Sequence, residues 1–336
     1  MTTDFWKEFK TQVFSLAPME DVTDTVFREV VLRHASFGNL HVVFTEFCNV
    51  DGLNHPVGRE RVSERLVVSP AEKRLLKEKG VKLVAQIWGK NPEIFYKVSQ
   101  WITQNHEFDG IDINMGCPVK KIIKHGACSA LIGQPALAKE IIHAVKEGSH
   151  LPVSVKTRTG ISRHNTEEWI SSLLEAGPSA IILHGRTQRM QSDGEASWDE
   201  IARAVNVRNQ AGTGTTIHGN GDVQSLDQAR KRISESGVDG VMIGRGIFYD
   251  PWIFEDKTNC HTAEERIRTL LLHTRLFEKV WDSNKNFNIL KRFYKIYINN
   301  FPGAAEMRAS LMELKGYDDV YRFFEGSLAK TNGVID

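Results

Sequence analysis

The sequence predicts an α/β protein, a (β/α)8 TIM barrel followed by a small all-helical C-terminal domain. Short apolar segments alternate with helix-like segments over residues 13–254, and such strands pair in parallel because a parallel neighbour needs a crossover connection. Polar side chains follow most of the apolar segments at their carboxyl ends, which meet at one rim of a barrel. After Phe254 only helical patterns are found.

Eight apolar segments are predicted as strands, at residues 13–16, 42–45, 83–87, 110–113, 153–155, 180–183, 215–217 and 240–243. Helical patterns lie at residues 92–104, 136–146, 166–176, 198–205 and 225–236, and another begins at Thr23 with Asp24 in its first turn. Eight strand–helix units in about 250 residues match a (β/α)8 barrel in size. A doubly wound open sheet is the alternative that the same alternation allows.

The end of the chain shows helical patterns alone. Thr262 followed by Glu265 is typical of a helix start with a capping glutamate. We predict helices at residues 263–281, 287–300, 304–315 and 318–327. The predicted domains are therefore a barrel at residues 1–255 and a helical domain at residues 256–336.

The composition is that of an ordinary globular protein, with 41% apolar and 25% charged residues in a chain of 336. A formal net charge of +1 neither favours nor excludes a nucleic-acid partner, so any basic surface must be local. The first 20 residues have no signal-peptide pattern and no segment is long enough to span a membrane, so we expect a soluble, cytoplasmic protein. Neither a disulfide framework nor a metal site is predicted from the spacing of the four cysteines, Cys48, Cys117, Cys128 and Cys260.

The predicted seventh and eighth rim loops are rich in glycine. Asn220-Gly221-Asp222 follows one strand and Gly244-Arg245-Gly246 follows the next. Barrels often bind phosphate at these loops through backbone N–H groups, and Arg245 adds a cation. The alternative is that the glycines only form tight turns. Two adjacent loops with an arginine favour a phosphate-bearing ligand, and the chain has no G-x-G-x-x-G dinucleotide fingerprint.

Cys117 follows the predicted fourth strand, between Gly116 and Pro118. Glycine permits a turn there and proline fixes φ, so the thiol can face a ligand at the rim. The alternative is a buried cysteine that acts as a small apolar residue. On the same rim, Gln86 supplies an amide and Lys156 a positive charge, which a flavin ring needs near its carbonyls and N1. Cys117 is therefore a candidate proton donor beside a flavin.

Basic residues cluster in two places. Lys120 and Lys121 follow Cys117, whereas the second cluster combines cations with aromatic residues on a predicted helix, at Lys291, Arg292 and Lys295. Such patches suit phosphate backbones and base stacking. A run of charges on a helix is usually only its solvated face, so RNA contact is one of two interpretations.

The motifs along the chain resemble those of the tRNA-dihydrouridine synthase family over about residues 13–254. They are Ala17-Pro18-Met19, Thr45-Glu46, Ala85-Gln86, Asn114-Met115-Gly116-Cys117-Pro118, Val155-Lys156-Thr157-Arg158, His184-Gly185-Arg186-Thr187, Gly219-Asn220-Gly221-Asp222 and Gly244-Arg245-Gly246. The tail resembles the family's helical domain more loosely, at Lys291-Arg292-Phe293-Tyr294 and Phe301-Pro302-Gly303-Ala304.

The resemblance implies an FMN-dependent barrel that reduces the C5–C6 double bond of particular uridines in tRNA, with NADPH as electron source. It implies hydride transfer from the reduced flavin to uracil C6 and protonation of C5 by Cys117. The implied FMN contacts are Pro18, Met19, Glu20, Gln86, Lys156, His184, Asn220, Gly221, Asp222, Gly244 and Arg245. The residues expected to contact tRNA are Asn114, Arg186, Lys120, Lys121, Lys291, Arg292 and Lys295. The helical domain would carry the tRNA, and we expect a monomer.

Two positions and one short stretch depart from the family pattern. Glu20 stands where alanine is frequent, Cys128 where glycine is common, and Met190-Gln191-Ser192 replaces a stretch that usually carries an aromatic residue. Two other functions stay open from the sequence. An FMN barrel oxidoreductase acting on a free small molecule, such as a dihydroorotate dehydrogenase, would share the flavin site, and a non-catalytic RNA-binding protein would share the basic patches.

Overall fold

The computed structural model describes residues 3–256 and 261–328. Nine strands of this part of the chain form one sheet, and eight of them close into a barrel by parallel pairing. The ring closes because Val13–Leu16 pairs with both Gly240–Ile243 and Val42–Phe44. The remaining strand, Cys48–Asn49, pairs with the carboxyl end of Lys82–Trp88. The predicted (β/α)8 barrel is therefore confirmed, and the open-sheet alternative is wrong.

The barrel strands are Val13–Leu16, Val42–Phe44, Lys82–Trp88, Gly110–Met115, Val153–Arg158, Ala180–His184, Thr216–Asn220 and Gly240–Ile243. The α-helices of this part are Phe5–Glu8, Thr25–His34, Val50–Asn54, Pro56–Ser63, Pro70–Lys79, Pro92–Asn105, Lys120–Lys124, Pro135–Ser149, Thr166–Glu175, Trp198–Ala211, Leu226–Ser236 and Gly246–Tyr249, with 3-10 segments at Glu64–Leu66 and Cys128–Gly133. The helical segments that follow are Ala263–Trp281, Asp282–Asn284, Phe287–Phe293, Tyr294–Tyr297, Ala304–Glu313 and Tyr317–Leu328.

Several strands extend beyond their predicted carboxyl ends and include the rim residues themselves. Asn114 pairs in the parallel ladder with Lys156, and Arg158 pairs with His184. A parallel ladder continues while both neighbours stay extended, which the apolar pattern of one segment does not reveal. Strand backbone rather than loop backbone therefore holds these polar side chains.

Apolar side chains fill the barrel interior. Phe44, Ile182 and Met242 have no exposed surface there. The helix Phe5–Glu8 covers the amino-terminal end of the barrel, where the Trp6 ring centroid lies 4.9 Å from that of His218. With its interior packed, a barrel binds ligands at its carboxyl rim.

The predicted position of Asp24 inside the first helical turn is wrong. The helix is Thr25–His34, and Asp24 is its N-cap, with a carboxylate oxygen that accepts a hydrogen bond from the Phe27 N–H at 3.0 Å. Aspartate is preferred at this position because it satisfies a backbone donor of the first turn. Its second oxygen accepts a hydrogen bond from Trp281 Nε1 at 2.7 Å. The same carboxylate therefore ties the barrel to the helical tail.

One predicted tail helix is also wrong. Residues 287–300 form the 3-10 segment Phe287–Phe293 and the short α-helix Tyr294–Tyr297 instead of one continuous helix. Aromatic and β-branched residues have modest helix propensity, so the burial of their side chains decides the local geometry. The helix Ala263–Trp281 is confirmed, including the capping box of Thr262 and Glu265.

The helical tail and the barrel share one hydrophobic core. The ring centroids of Phe27 and Phe293 lie 5.4 Å apart, and Lys285 pairs with Asp24 at 3.4 Å. The domain boundary near residue 255 stays a prediction, and Cys260 lies outside the described residues. Within the described ranges, no helix has the length and apolar character needed to cross a membrane.

Candidate active site

The carboxyl rim of the barrel holds a cleft of about 280 Å3, which we call the rim cleft. Its lining comes from loops and strand ends that are far apart in the sequence and meet because parallel strands end at one rim. Most of the predicted cofactor residues line it: Pro18, Met19, Lys156, His184, Asn220, Gly221, Asp222, Gly244 and Arg245.

Lys156 places a positive charge in the rim cleft. Its Nζ donates to Asn220 Oδ1 at 3.1 Å, and Asn220 Nδ2 donates to the Met242 carbonyl at 2.8 Å. Burial, followed by the charge of Arg158, lowers the pKa of Lys156 to about 8. The ammonium group is still mostly protonated at neutral pH, so the cleft contains an oriented cation.

His184 is a neutral hydrogen-bonding group beside that cation. Arg186 Nη1 lies 3.2 Å from His184 Nε2, and because a guanidinium only donates, Nε2 accepts and Nδ1 carries the proton. Burial and the charges of Lys156, Arg158, Arg186 and Arg245 hold the pKa of His184 far below its ordinary value. The cationic surroundings of the imidazole favour an anionic ligand.

Backbone donors in the rim cleft suit a phosphate group. In the described part of the chain, the N–H groups of Asp222, Gly244 and Arg245 donate to no protein acceptor. Gly221 and Asp222 both have positive φ, at 129° and 54°, and a Cβ at Gly221 would lie 2.5 Å from the Cβ of Ala196. Turns of this kind present N–H groups to anions. The predicted phosphate loops therefore have the required donors.

The Asp222 carboxylate binds the arginines of the cleft. Its oxygens lie 2.7 Å from Arg186 Nη2 and 3.4 Å from Arg245 Nη2, and it accepts the Ala196 N–H at 2.8 Å. Burial would raise the pKa of Asp222, but the hydrogen bonds from Ala196 and Arg186 lower it below its ordinary value. The ionised side chain orients both guanidinium groups and is itself fully engaged. The backbone N–H of Asp222, which has no protein acceptor, can still donate to a ligand.

A chain of buried amides shapes the turn that carries Cys117. Asn114 Oδ1 accepts the N–H groups of Gly116 and Cys117 at 3.1 and 3.0 Å. Asn114 Nδ2 donates to Gln86 Oε1 at 3.0 Å, and Gln86 Nε2 donates to Asp112 Oδ2 at 2.7 Å. Gln86 is fully buried. The structure brings Gln86 and Asn114 together behind Cys117, whereas their predicted contacts with a flavin and a base stay predictions.

The Cys117 thiol is half-buried and more acidic than an ordinary thiol. A hydrogen bond from Cys128 is the largest cause, and together with the Val119 backbone N–H and the charge of Arg158 it outweighs burial and lowers the pKa of Cys117 to about 7. A group with a pKa near the working pH is well suited to general acid–base chemistry. Cys117 therefore has the acidity that suits a general acid, and its role as a proton donor stays a prediction.

Arg158 is a site residue that sequence reasoning did not single out. Its Nε donates to the Gly116 carbonyl at 2.6 Å, and its Nη1 donates to the carbonyls of Thr187 and Gln191 at 3.1 and 2.8 Å. The guanidinium joins the loop of Cys117 to the loop after His184. The Val155-Lys156-Thr157-Arg158 motif could have marked Arg158 as a site residue. Its hydrogen-bond partners could not be predicted, because they are distant in the sequence.

Glu20, a predicted cofactor residue, is held outside the lining of the rim cleft by an ion pair with Arg65. Nearby, Glu46 accepts the Asp21 N–H at 2.6 Å and lies 3.8 Å from Lys285. Burial raises the pKa of Glu46 to about 7, although the charge of Lys285 opposes that rise. The structure therefore gives Glu20 and Glu46 ion-pair partners at the junction of the barrel with the tail.

The six cations expected to contact tRNA fall into three environments. Arg186 is 2% exposed and pairs with Asp222, so only a ligand inside the rim cleft reaches it. Lys291 is partly buried, and its Nζ donates to the Met312 carbonyl at 2.6 Å. The exposed cations of the set are Lys120, Lys121, Arg292 and Lys295.

A second cleft, of about 560 Å3, lies between the barrel and the tail; we call it the junction cleft. Arg245 and Tyr249 line both the junction cleft and the rim cleft. Arg292 and Lys295 line the junction cleft on the tail side, and Arg292 pairs with Asp21 at 3.1 Å. A cationic surface therefore leads from the tail to the rim of the barrel.

Two solved structures resemble the fold at low sequence identity. A 2-naphthoyl-CoA reductase matches 71% of this chain and 48% of its own with a TM-score of 0.52 and 11% identity. A 6-hydroxypseudooxynicotine amine oxidase from Pseudomonas geniculata N1 matches 72% of this chain and 46% of its own, with a TM-score of 0.54 and 12% identity. At these identities the likeness shows the fold alone.

Curated relatives are more similar and cover nearly the whole chain. A probable tRNA-dihydrouridine synthase 2 from Bacillus subtilis (strain 168) is 39% identical over 322 residues, 95% of both chains. A probable tRNA-dihydrouridine synthase from Staphylococcus aureus (strain COL) is 40% identical over 314 residues, 93% of this chain and 92% of its own. The model of the dihydrouridine synthase family matches residues 15–330. With this match and the cationic rim cleft beside an acidic cysteine, the chain belongs to the dihydrouridine synthase family.

Proposed function

We propose that the protein reduces the C5–C6 double bond of uridines in tRNA to 5,6-dihydrouridine. The observation that carries the proposal is Cys117, an acidic, half-buried thiol on the same barrel rim as the cationic rim cleft. Membership of the dihydrouridine synthase family supports this reaction, and the names of the bacterial relatives support tRNA as the substrate.

The family uses a flavin, and the donors of the rim cleft fit FMN. One phosphate matches the free N–H groups of Asp222, Gly244 and Arg245 together with the Arg245 guanidinium. Lys156 would hold the flavin ring near N1, where a positive charge stabilises the reduced anion, and neutral His184 would donate from Nδ1. When bound and reduced, the flavin would supply the hydride that uracil C6 accepts, and we propose NADPH as the source of its electrons.

Cys117 completes the reduction by donating its proton to C5. The thiol loses a proton and becomes a thiolate, which the hydrogen bonds from Cys128 and Val119 and the charge of Arg158 stabilise. The amide chain of Gln86 and Asn114 fixes the turn from which the thiol acts. Orientation of a donor by a rigid hydrogen-bonded turn preserves the geometry that proton transfer needs.

The tRNA would approach across the tail, because the junction cleft and the rim cleft share Arg245 and Tyr249. A uracil base would leave its stack to reach the rim cleft. Arg292 and Lys295 in the junction cleft, with Lys120 and Lys121 on the helix after Cys117, would bind its phosphates. We accordingly assign the chemistry to residues 1–255 and tRNA binding mainly to residues 256–336, with Lys120 and Lys121 as further contacts on the barrel. We also propose that the protein acts as a cytoplasmic monomer.

The test is a reaction of the purified, FMN-loaded protein with NADPH and unmodified tRNA. Mass spectrometry of the digested tRNA should show uridines that have gained two hydrogens, and orotate should not be reduced under the same conditions. Reduction of orotate without change in tRNA would favour the small-molecule oxidoreductase. A protein that takes up no flavin and leaves tRNA unchanged would favour RNA binding without catalysis.

A further inference from the structure

Cys128 lies next to Cys117 across the helix Lys120–Lys124, because the loop returns to the Cys117 carbonyl at Ser129. The Cys128 thiol hydrogen-bonds the Cys117 sulfur. The next residue, Ser129, holds the two segments together, because its N–H and its Oγ both donate to the Cys117 carbonyl, at 3.4 and 2.7 Å. The contact is therefore built into the backbone of the loop.

Cys128 occupies a backbone conformation that disfavours a side chain. Its φ is 53°, in the left-handed region that glycine adopts without steric cost and that strains a residue with a Cβ. Its side chain is fully buried and faces Cys117. A strained conformation that persists at a site indicates that the side chain has a use there.

The described thiols differ in their reactivity towards oxidants. Thiolates, not thiols, react with peroxides, and only Cys117 combines partial exposure with a lowered pKa. Burial raises the pKa of Cys48 and of Cys128 and leaves both thiols protonated. An oxidant that enters the rim therefore meets one reactive thiolate among the described cysteines, and a second thiol lies next to it.

We propose that Cys117 and Cys128 are a modification site, at which a hydroperoxide converts the two thiols into a reversible disulfide. The Cys117 thiolate attacks the peroxide, the O–O bond breaks, and sulfenic acid and water form once the leaving hydroxide takes up a proton. The Cys128 sulfur then attacks the sulfenic sulfur, an S–S bond forms, the S–O bond breaks, and the Cys128 proton leaves in a second water. The two thiols lose two electrons, and the peroxide gains them.

The disulfide would reversibly stop the reaction assigned to Cys117, because an oxidised sulfur has no proton to give. It would also protect the thiol, because sulfenic acid that meets no second thiol advances to sulfinic acid, which ordinary thiols do not reduce. The chemical step needs only the two cysteines and a peroxide. Failure of the proposed tRNA chemistry is therefore distinguishable from failure of this inference.

The test treats the FMN-loaded full chain with hydrogen peroxide and then with trypsin, without a reducing agent. Mass spectrometry should find peptides 98–120 and 125–139 joined, with two hydrogens lost, and the free thiol count should fall by two. Dithiothreitol should separate the peptides and restore tRNA turnover. Retention of the flavin absorbance shows that the oxidised chain is still folded.

Two variants sharpen the test. Cys128→Gly suits the positive φ of that position and should give no joined peptides; its Cys117 should react with dimedone as a sulfenic acid and then pass to sulfinic acid. Cys48→Ala is the matched control and should join the two peptides like the wild type. Sulfinic acid at Cys117 of the wild type without joined peptides, pairing of Cys117 with another cysteine, or no reaction with excess peroxide would overturn the proposal.

Discussion

Replacing Cys117 by alanine tests the proposed acid most directly. The turn at residue 117 is held by Asn114 and Ser129 through backbone atoms, so the variant should fold and keep its flavin. Reduction of the flavin by NADPH should proceed at the wild-type rate, because that half-reaction needs no proton at C5. Turnover of tRNA should fall by about 10²–10⁴-fold, the usual loss when a general acid is removed.

The acidity of Cys117 gives the same prediction a pH dependence. With a pKa of about 7, the thiol is about nine-tenths protonated at pH 6 and about one-tenth protonated at pH 8, because each pH unit changes the ratio of the two forms tenfold. Only the protonated form donates. The single-turnover rate of uridine reduction by pre-reduced enzyme should therefore fall about tenfold from pH 6 to pH 8, in proportion to the protonated fraction of the thiol.

Cys128→Ala shifts that profile in a known direction. Loss of the hydrogen bond from Cys128 should raise the pKa of Cys117 towards its ordinary value of 9.0, so the decline in rate should begin at higher pH. Cys48→Ala, which removes a thiol that contacts the carbonyls of Glu46 and Val62, should leave the profile in place. Full tRNA turnover by Cys117→Ala, or a flat wild-type profile from pH 6 to pH 8, would refute the role of Cys117 as the acid.

Three further predictions follow from other interactions. Lys156→Met should weaken flavin binding by about tenfold or more, since a hydrogen bond to a charged group is worth about 1.5–3 kcal/mol. Fluorescence titration measures the flavin affinity and stopped-flow absorbance measures the rate of flavin reduction. An unchanged affinity and an unchanged rate would exclude Lys156 from the flavin site. Arg28→Met should lower the free energy of unfolding by about 3–5 kcal/mol, because it leaves the buried Glu72 carboxylate unpaired; urea denaturation measures the decrease, which should be smaller when Glu72→Leu is added. Neutralising the exposed cations should weaken tRNA binding. It should also reduce the slope of log affinity against log salt concentration by about 0.9 for each duplex phosphate that the variant no longer neutralises. An unaltered slope would show that these side chains are solvated and do not contact tRNA. Those cations are Lys120, Lys121, Arg292 and Lys295.

Matched substitutions separate these effects from a general decrease in positive charge. Lys146→Met removes a lysine that bonds the carbonyls of Ala176 and Gly177, away from the rim cleft, and should leave flavin binding unchanged. Neutralising Arg203 and Lys231, exposed on outer helices of the barrel, should leave the salt dependence of tRNA binding unchanged.

The fold, and which residues lie at the carboxyl rim of the barrel, could be predicted from the sequence. Each apolar segment followed by a helical pattern specifies a parallel strand with a crossover, and eight such units close into a barrel. Because all the carboxyl ends then meet at one rim, side chains as distant as Lys156, His184 and Arg245 had to converge. This part of the prediction needed only local periodicity and one topological rule.

The hydrogen-bond partners within the site were decided by the tertiary structure alone. Gln86 bonds Asn114 on the neighbouring strand, two residues beyond its ladder partner Asp112, and the Asp222 carboxylate pairs with Arg186. The contact of Cys128 with Cys117 depends on the return of the loop through Ser129.

Local patterns record which residues are apolar and at what spacing, so they determine strands, helices and the face that each presents. Hydrogen bonds depend on distances and angles of a few tenths of an ångström between segments that the sequence separates widely. The same limit explains the broken helix at residues 287–300, where burial against the barrel outweighed a weak helical preference. The sequence by itself therefore determined the barrel and the residues at its rim, and only tertiary packing decided which hydrogen bonds and ion pairs those residues form.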